Sequence, residues 1–600
     1  MRAFEFTGPK FNGVVKSARA GDFLGMGPVG ERLYGQVFPG LNNNVRHPRA
    51  YAAICWVVDY AYMQATSGAP SDIDISKMIH STTRLLDKVQ LLITWQAAMS
   101  REKMVPGLSA FKEMKNELEL TLRGWKVKTT FMSGLYYLPG LVGGLGLINR
   151  GVGNAKDTYS CSPAGRLLAK AFEKEVRRLN PAARKWLVST ENIFCNKKRL
   201  ASLLTVATLS EPSGPEKLTF LQLFLDGVVE NKDGLADPNK ELREKNARKR
   251  RQSVVLALRA LEALEADNNG FNSIQDIRQV MSAACTPKRT KLDLTGVELS
   301  WREWHVLQIR QLQRLAMEVL LGLVERIVLS KEQSKQPSFK QDICAAIGDL
   351  ICKSDSEHIK LSEILHDDIN WYKQEQKSYP TLQAAGVCRS RYKEFLNIGE
   401  LKMYVRGKPS MLDPADIHST HSEWATAGKF AINALVYCAI EVGNLRTLSM
   451  EHAVAKRDVE KLLSFDDDKL SLKQLARVVA EFQDMSPYDF VTEMVGRYVI
   501  EQHLRTATSR SELAADGQNR FVFTQEHHGL SRWREGRSNT FVVAQEAHDI
   551  LLNVLLLLEG CGCLKVDFGA GSQGEYYRNA QFKLTAAGRK LLKSATASLQ

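Results

Sequence analysis

Arg46, His47 and Arg49 can each carry positive charge, and they flank Pro48, a residue suited to the first position of a helix. Ahead of them, Pro39–Asn44 contains a glycine and three asparagines, the composition of a turn. Cations at a helix N-terminus oppose the macrodipole, so their placement there costs local stability. An anion docked on the free N–H groups would offset that cost, and a nucleic-acid phosphate or a nucleotide has the right chemistry. The competing arrangement is internal pairing with carboxylates such as Asp59 or Asp72. A second cluster, Asp413, Asp416, His418, His421 and Glu423, is the densest set of potential metal ligands. His418 and His421 could share a helical face, but no zinc spacing is reproduced, and Asp-Pro followed by Ser and Thr is equally good loop and cap chemistry. No metal site is therefore expected, with His418 and His421 the candidates for one, and no cofactor is expected.

Other chemistry is sparse. His366-Asp367-Asp368 lacks the remote His and Asp of a metal phosphohydrolase. The Gly-rich run Pro139–Gly146 lacks the Lys-Ser/Thr of a phosphate loop and reads as a close-packed turn. No G-x-S-x-G and no H-E-x-x-H occurs. That lowers the expectation of catalysis without removing it.

The elements that would position these residues include one device written twice. Ser162-Pro163-Ala164-Gly165-Arg166-Leu167-Leu168 and Thr585-Ala586-Ala587-Gly588-Arg589-Lys590-Leu591-Leu592 each open with a hydroxyl residue suited to capping a helix. Before each comes a strand-like run, a Gly/Asn-rich loop and a second short strand: 145–148 and 158–161 in the first, 563–566 and 581–584 in the second. The first loop carries Arg150 and Lys156, and the second carries Arg578. Strand, loop, strand and capped helix in that order resemble the end of a winged helix. The L-T-x-x-G-R-x-L form of the second copy is similar to regulators of the MarR and PadR kind, over about 60 residues at the C-terminus and fewer near 145–176. The resemblance implies a wing tip whose cations lie along a phosphate backbone or enter a minor groove, with a neighbouring helix reading the major groove. The chain departs from the pattern because no basic recognition helix precedes either wing. Winged helices also serve as protein-interaction modules. Residues 39–60 resemble uncharacterised bacterial proteins of defence or mobile-element loci, which would imply a subunit of a defence or genome-maintenance system.

Charge locates the partner. The chain carries +14, and residues 1–200 hold 29 Lys and Arg against 15 Asp and Glu, so the remaining 400 residues balance. A basic end is expected to face a polyanion. Lys245–Arg251 looks similarly basic, but Glu241 and Glu244 are placed for i,i+4 pairs, and a solvated helix face is expected. Ten scattered cysteines without paired spacing suggest a reducing, cytoplasmic setting, and the start is no signal peptide. The most apolar helices, 430–442 and 550–558, are too short to span a bilayer.

Helical spacing predicts segments at 48–66, 71–100, 196–209, 216–227, 238–266, 273–284, 299–330, 338–352, 424–443, 451–506 and 544–559, with a strand over 520–524. The stretch 299–330 could carry a homodimer or interdomain seam. The expected class is mainly α and multidomain, helical bundles with small winged-helix-like α+β units near both ends. The expected domains are 1–190 (basic, with a winged-helix-like unit), 191–410 (helical middle), 411–515 (helical) and 516–600 (winged-helix-like). The expected function is nucleic-acid binding, of DNA in the first place, by a protein with partners in a larger complex. Arg46, His47, Arg49, Arg150, Lys156 and Arg166 would hold phosphates, and Arg578 and Arg589 would form a secondary surface. The rivals are a scaffold whose winged helices hold other proteins and an enzyme with a site near His418 and His421.

Overall fold

A computed structural model describes residues 22–352, 424–533 and 550–599 with interruptions, which include most of 101–136 and all of 152–157, 231–236, 447–455, 514–520 and 570–579. In chain order the first elements are α1 (Gly27–Val37), α2 (Pro48–Ala65), α3 (Ile75–Met99), β1 (Glu117–Glu119) and α4 (Tyr137–Pro139), which runs into a π-turn at Gly140–Gly144. Then come β2 (Ile148–Arg150), β3 (Tyr159–Cys161), α5 (Pro163–Arg178), α6 (Pro181–Val188), β4 (Phe194–Asn196), α7 (Lys197–Ala201), α8 (Leu204–Ala207) and α9 (Gly214–Leu225). They are followed by α10 (Lys240–Asn268), β5 (Asn272–Ser273), α11 (Ile274–Ala283), α12 (Glu298–Gln333) and α13 (Lys340–Cys352). After helical residues 434–443 come α14 (Lys456–Leu463), α15 (Leu472–Glu481), α16 (Pro487–Glu493), a π-helix (Met494–Glu501) and α17 (Gln502–Leu513). The last are β6 (Phe523–Glu526), β7 (Gly529–Arg532), α18 (Ile550–Gly560), β8 (Leu564–Asp567), β9 (Gln581–Leu584) and α19 (Ala586–Ala597). The protein is mainly α and multidomain, and its described sheets have two or three strands.

Two compact units form, each from non-contiguous segments. One comprises residues 1–33, 282–291 and 301–547, and the other 34–281, 292–300 and 548–600. Each unit draws on segments from more than one of the four consecutive domains expected. Composition shifts mark linkers, but they cannot show that residues 548–600 group with residues 34–281.

The second unit is organised on α2, which is buried along nearly its whole length from Pro48 to Ala65. Helix α5 lies against it, and Trp56 of α2 donates its indole N–H to Glu173 of α5 at 2.6 Å. The glycine run at the π-turn is a packing device, as its lack of a phosphate-loop lysine suggested. A Cβ on Gly144 would collide with the backbone of Gly40, and one on Gly40, which adopts φ +80°, would collide with Gly144. Only two glycines permit the two backbones to approach this closely.

The two hairpin–helix segments are geometric copies. Ser162 caps α5 by accepting from the Gly165 amide at 3.2 Å, and Thr585 caps α19 by accepting from the Gly588 amide at 3.0 Å. The Ser162 hydroxyl donates to the Gly146 carbonyl at 2.7 Å, and that of Thr585 donates to the Gly562 carbonyl at 2.8 Å. Both acceptor glycines sit at positive φ, +56° and +79°. A side chain on Gly165 would strike the Leu147 carbonyl, and one on Gly588 would strike that of Cys563. The shared Ser/Thr-x-x-Gly spacing thus encodes a helix start pressed against a strand. The hairpins pair β2 with β3 and β8 with β9, and β5 adds a third strand beside β9 in the second copy. The second copy therefore uses α10, β5 and α11 from the middle of the chain together with α18, β8, β9 and α19 from its end.

In the first unit, α12 is buried on every side from Trp301 to Val328 except at Arg314. The homodimer seam expected on 299–330 has no free face there. Its polar residues, among them Arg302, Gln308, Gln313 and Glu325, are buried with the apolar ones.

Gly144→Ala is expected to destabilise the fold by about 1–3 kcal/mol or more, because backbone must move to admit the methyl. Gly143→Ala, whose Cβ would meet nothing within 4 Å, is expected to be neutral. Urea unfolding of the two variants checks the contrast.

Candidate nucleic-acid interface

Arg49 is 2% exposed and stands inside the fold. Its Nε and Nη2 donate to the two carboxylate oxygens of Glu216 at 3.1 and 2.8 Å. Its Nη1 donates to the carbonyls of Thr205 and Thr208 at 2.6 and 2.9 Å. Of the two arrangements open to Arg49, the internal carboxylate pair is the one formed, with Glu216 in place of Asp59 or Asp72. Arg46 donates from Nε to Asn553 of α18 at 2.8 Å, and Asn553 is itself buried. His47 is half-buried at the N-cap of α2 and supplies no side-chain cap. Burial pushes the nearby Tyr137 phenol up to about 12, with the Arg46 and His47 amides pulling the other way. The start of α2 is therefore enclosed: Pro48, Arg49 and Ala50 are buried.

The arginines that follow the two helix caps also meet carboxylates of this chain, although Arg589 stays exposed. Arg166 pairs with Asp59 at 3.1 Å, and Arg589 pairs with Glu265 and, at 3.7 Å, with Glu262. Burial raises the Asp59 carboxyl and Arg166 opposes that shift. Arg150 is exposed at the end of β2, opposite Tyr159. Lys156, Arg578, His418 and His421 lie outside the described residues. Among those described, no group of three or more His, Cys, Asp or Glu is placed to hold a metal. In the Lys245–Arg251 run, Lys245 and Arg248 are exposed as a solvated face requires, and Arg250 departs from it. Arg250 is wholly buried and donates to the carbonyls of Phe224 at 2.9 Å and Pro39 at 2.8 Å.

The outward charge lies elsewhere. Residues 166–200 hold ten Lys and Arg against three Asp and Glu, half of the chain's net excess. Helix α5 exposes Lys170, Lys174, Arg177 and Arg178, while α6 exposes Arg184 and Lys185 and α7 exposes Lys197 and Lys198. The four on α5 fall at i, i+4, i+7 and i+8, one helical face, opposite the buried Leu168, Phe172 and Val176. That spacing of cations is legible in the sequence. Arg177 and Arg178 pair with Glu173 and Glu175, whereas Lys174, Arg184, Lys185, Lys197 and Lys198 have no ion-pair partner among the described residues.

A cation–aromatic stack braces this surface from beneath. The ring of Trp186 in α6 has Lys88 Nζ at 4.2 Å from its centroid and the Arg199 guanidinium at 5.4 Å. Lys88 is buried and donates to the Trp186 carbonyl at 2.8 Å. Burial lowers its ammonium to about 8.

One arrangement of residues far apart in sequence has the order of a hydrolase triad. Ser282 Oγ lies 2.8 Å from His305 Nδ1, and His305 Nε2 lies 3.0 Å from Glu441 Oε2. Ser282 and Glu441 have no exposed surface and His305 has 2%, so no substrate reaches the serine. The three groups form a buried polar network joining α11, α12 and the helical residues 434–443.

No family model, no characterised protein and no solved structure matches this chain.

Two measurements test these placements. Arg49→Met is expected to cost about 3–5 kcal/mol in urea unfolding, since it strands a buried Glu216, whereas Arg150→Met at the surface is expected to change stability by under about 0.5 kcal/mol. Lys88 has a folded pKa of about 8 against 10.5 unfolded, so the unfolded chain holds the extra proton between these values. Stability contributed by this group then rises as pH rises from 8 to 10 and is lost as pH falls through 8. Unfolding midpoints of wild type and Lys88→Met, compared across that window, are expected to show that rise only in wild type.

Proposed function

We propose that the protein binds nucleic acid, DNA in the first place, through the exposed cations of α5, α6 and α7. The observation that carries this reading is the set of outward Lys and Arg side chains without ion-pair partners among the described residues, within residues 166–200, which hold half of the chain's net positive charge. Phosphate contacts of this kind give affinity and register without sequence reading. The strand order of the second copy, β5–β9–β8 with helices before and after, supports the winged-helix resemblance.

A second reading, that the winged-helix-like units hold other proteins or simply build the fold, is favoured by a separate observation. Helix α18, which precedes the second hairpin, is buried at every residue from Ile550 to Leu558 and offers no face to a groove. Arg166 and Arg589 are likewise engaged by carboxylates.

Anisotropy of a labelled duplex and of a single strand, titrated with full-length protein from about 50 to 300 mM salt, separates the two. Binding at low salt is expected, with log K falling linearly against log salt and losing about tenfold or more over the range. Lys174→Glu with Lys185→Glu is expected to weaken it at least about tenfold. Absence of affinity for either form at the lowest salt overturns the nucleic-acid reading and leaves the scaffold.

A further inference from the structure

The basic surface contains an aromatic side chain that its fold leaves bare. Phe194 of β4 is 58% exposed, more than any other described phenylalanine or tryptophan. The strand turns Cys195 inward and holds Phe194 and Asn196 outward. The backbone under the ring is fixed: Arg199 donates to the Phe194 carbonyl at 2.8 Å, and Asn196 caps α7 by accepting from the Arg199 amide at 2.9 Å. Arg199 is in turn held over Trp186, so ring, strand and short helix form one braced piece. Lys197 and Lys198 follow immediately, exposed and without ion-pair partners.

A bare ring beside cations is the combination that binds unpaired bases. Every base has a π-face to stack, while the flanking ammonium groups hold the phosphates on either side. A duplex keeps its bases stacked on each other and gives the ring nothing to cover. We propose that Phe194, with Lys197 and Lys198, is a stacking platform for single-stranded DNA. This inference rests on the nucleic-acid reading and assigns it a strand form and a site.

The test uses the full-length protein with labelled dT20, rU20 and a 20-base-pair duplex at low salt. Wild type is expected to bind dT20 more tightly than the duplex. Phe194→Ala, with an unchanged melting temperature, is expected to weaken dT20 binding by about 5- to 100-fold and duplex binding by less than about twofold. Phe194→Trp is expected to restore it. Lys197→Ala with Lys198→Ala is expected to reduce the single-strand salt slope by about 1.4. Unchanged dT20 affinity in Phe194→Ala, preference for the duplex, or tighter binding of rU20 than dT20 overturns this inference while leaving nucleic-acid binding in place. Failure of wild type to bind any of the three removes the underlying reading instead.

Discussion

A guanidinium cannot shed its charge at any pH a protein meets, so a buried arginine dictates what surrounds it. Arg49 is buried one residue into α2, and its Nε, Nη1 and Nη2 each reach an oxygen. Glu216 supplies two oxygens to it, and one of these also accepts the Ser213 amide at 2.7 Å in the capping box that starts α9. The remaining partners are carbonyls at the end of α8. One cation thereby ties together the start of α2, the end of α8 and the start of α9. Desolvating such a pair is costly, and the complete set of hydrogen bonds offsets that cost. Once α2 is fixed, Asp59 and Trp56 on it place α5 through Arg166 and Glu173. The cations on the outer face of α5 inherit their position from that sequence of contacts.

The chain uses its positive charge in two ways that composition cannot separate. Arginines at 49, 166, 243, 250 and 589 point to carboxylates or backbone carbonyls, where a planar fork of donors can be satisfied from several sides at once. Lysines at 174, 185, 197 and 198 stay in solvent, where a flexible point charge costs little to keep hydrated. The division is not absolute, since Lys88 is buried and Arg184 is exposed. It explains all the same why arginines singled out beside helix starts proved to be struts.

Helix positions were legible because their signals are local. Pro48 opens α2, a hydroxyl residue caps α5 and α19, and apolar spacing marks α3, α10 and α12. The glycine of the repeated Ser/Thr-x-x-Gly-Arg string was legible as a repeat, though not its reason, which is a carbonyl of a preceding residue pressed against the helix start. Long-range facts were not legible. Nothing in the order of residues announces that Asn553 receives Arg46, that Glu265 receives Arg589, or that Ser282, His305 and Glu441 meet. The buried polar residues of α12 misled for the same reason, because their partners are supplied by distant segments. In the candidate interface, the charge excess of the N-terminal third was visible, and the face of α5 that holds much of it was visible in the spacing of its cations.

The likeness of the two copies bears on which of them meets a polyanion. Each cap arginine is neutralised by a carboxylate on a neighbouring helix, Asp59 of α2 or Glu265 of α10. A shared feature of this kind supports an architectural role for the cap itself, common to both copies. What differs is the outer side of the helix that follows. Helix α5 exposes four cations and is followed by those of α6 and α7, whereas α19 exposes three, Arg589, Lys590 and Lys593. Groove reading by a helix before the hairpin is disfavoured in the second copy, because α18 is apolar and enclosed.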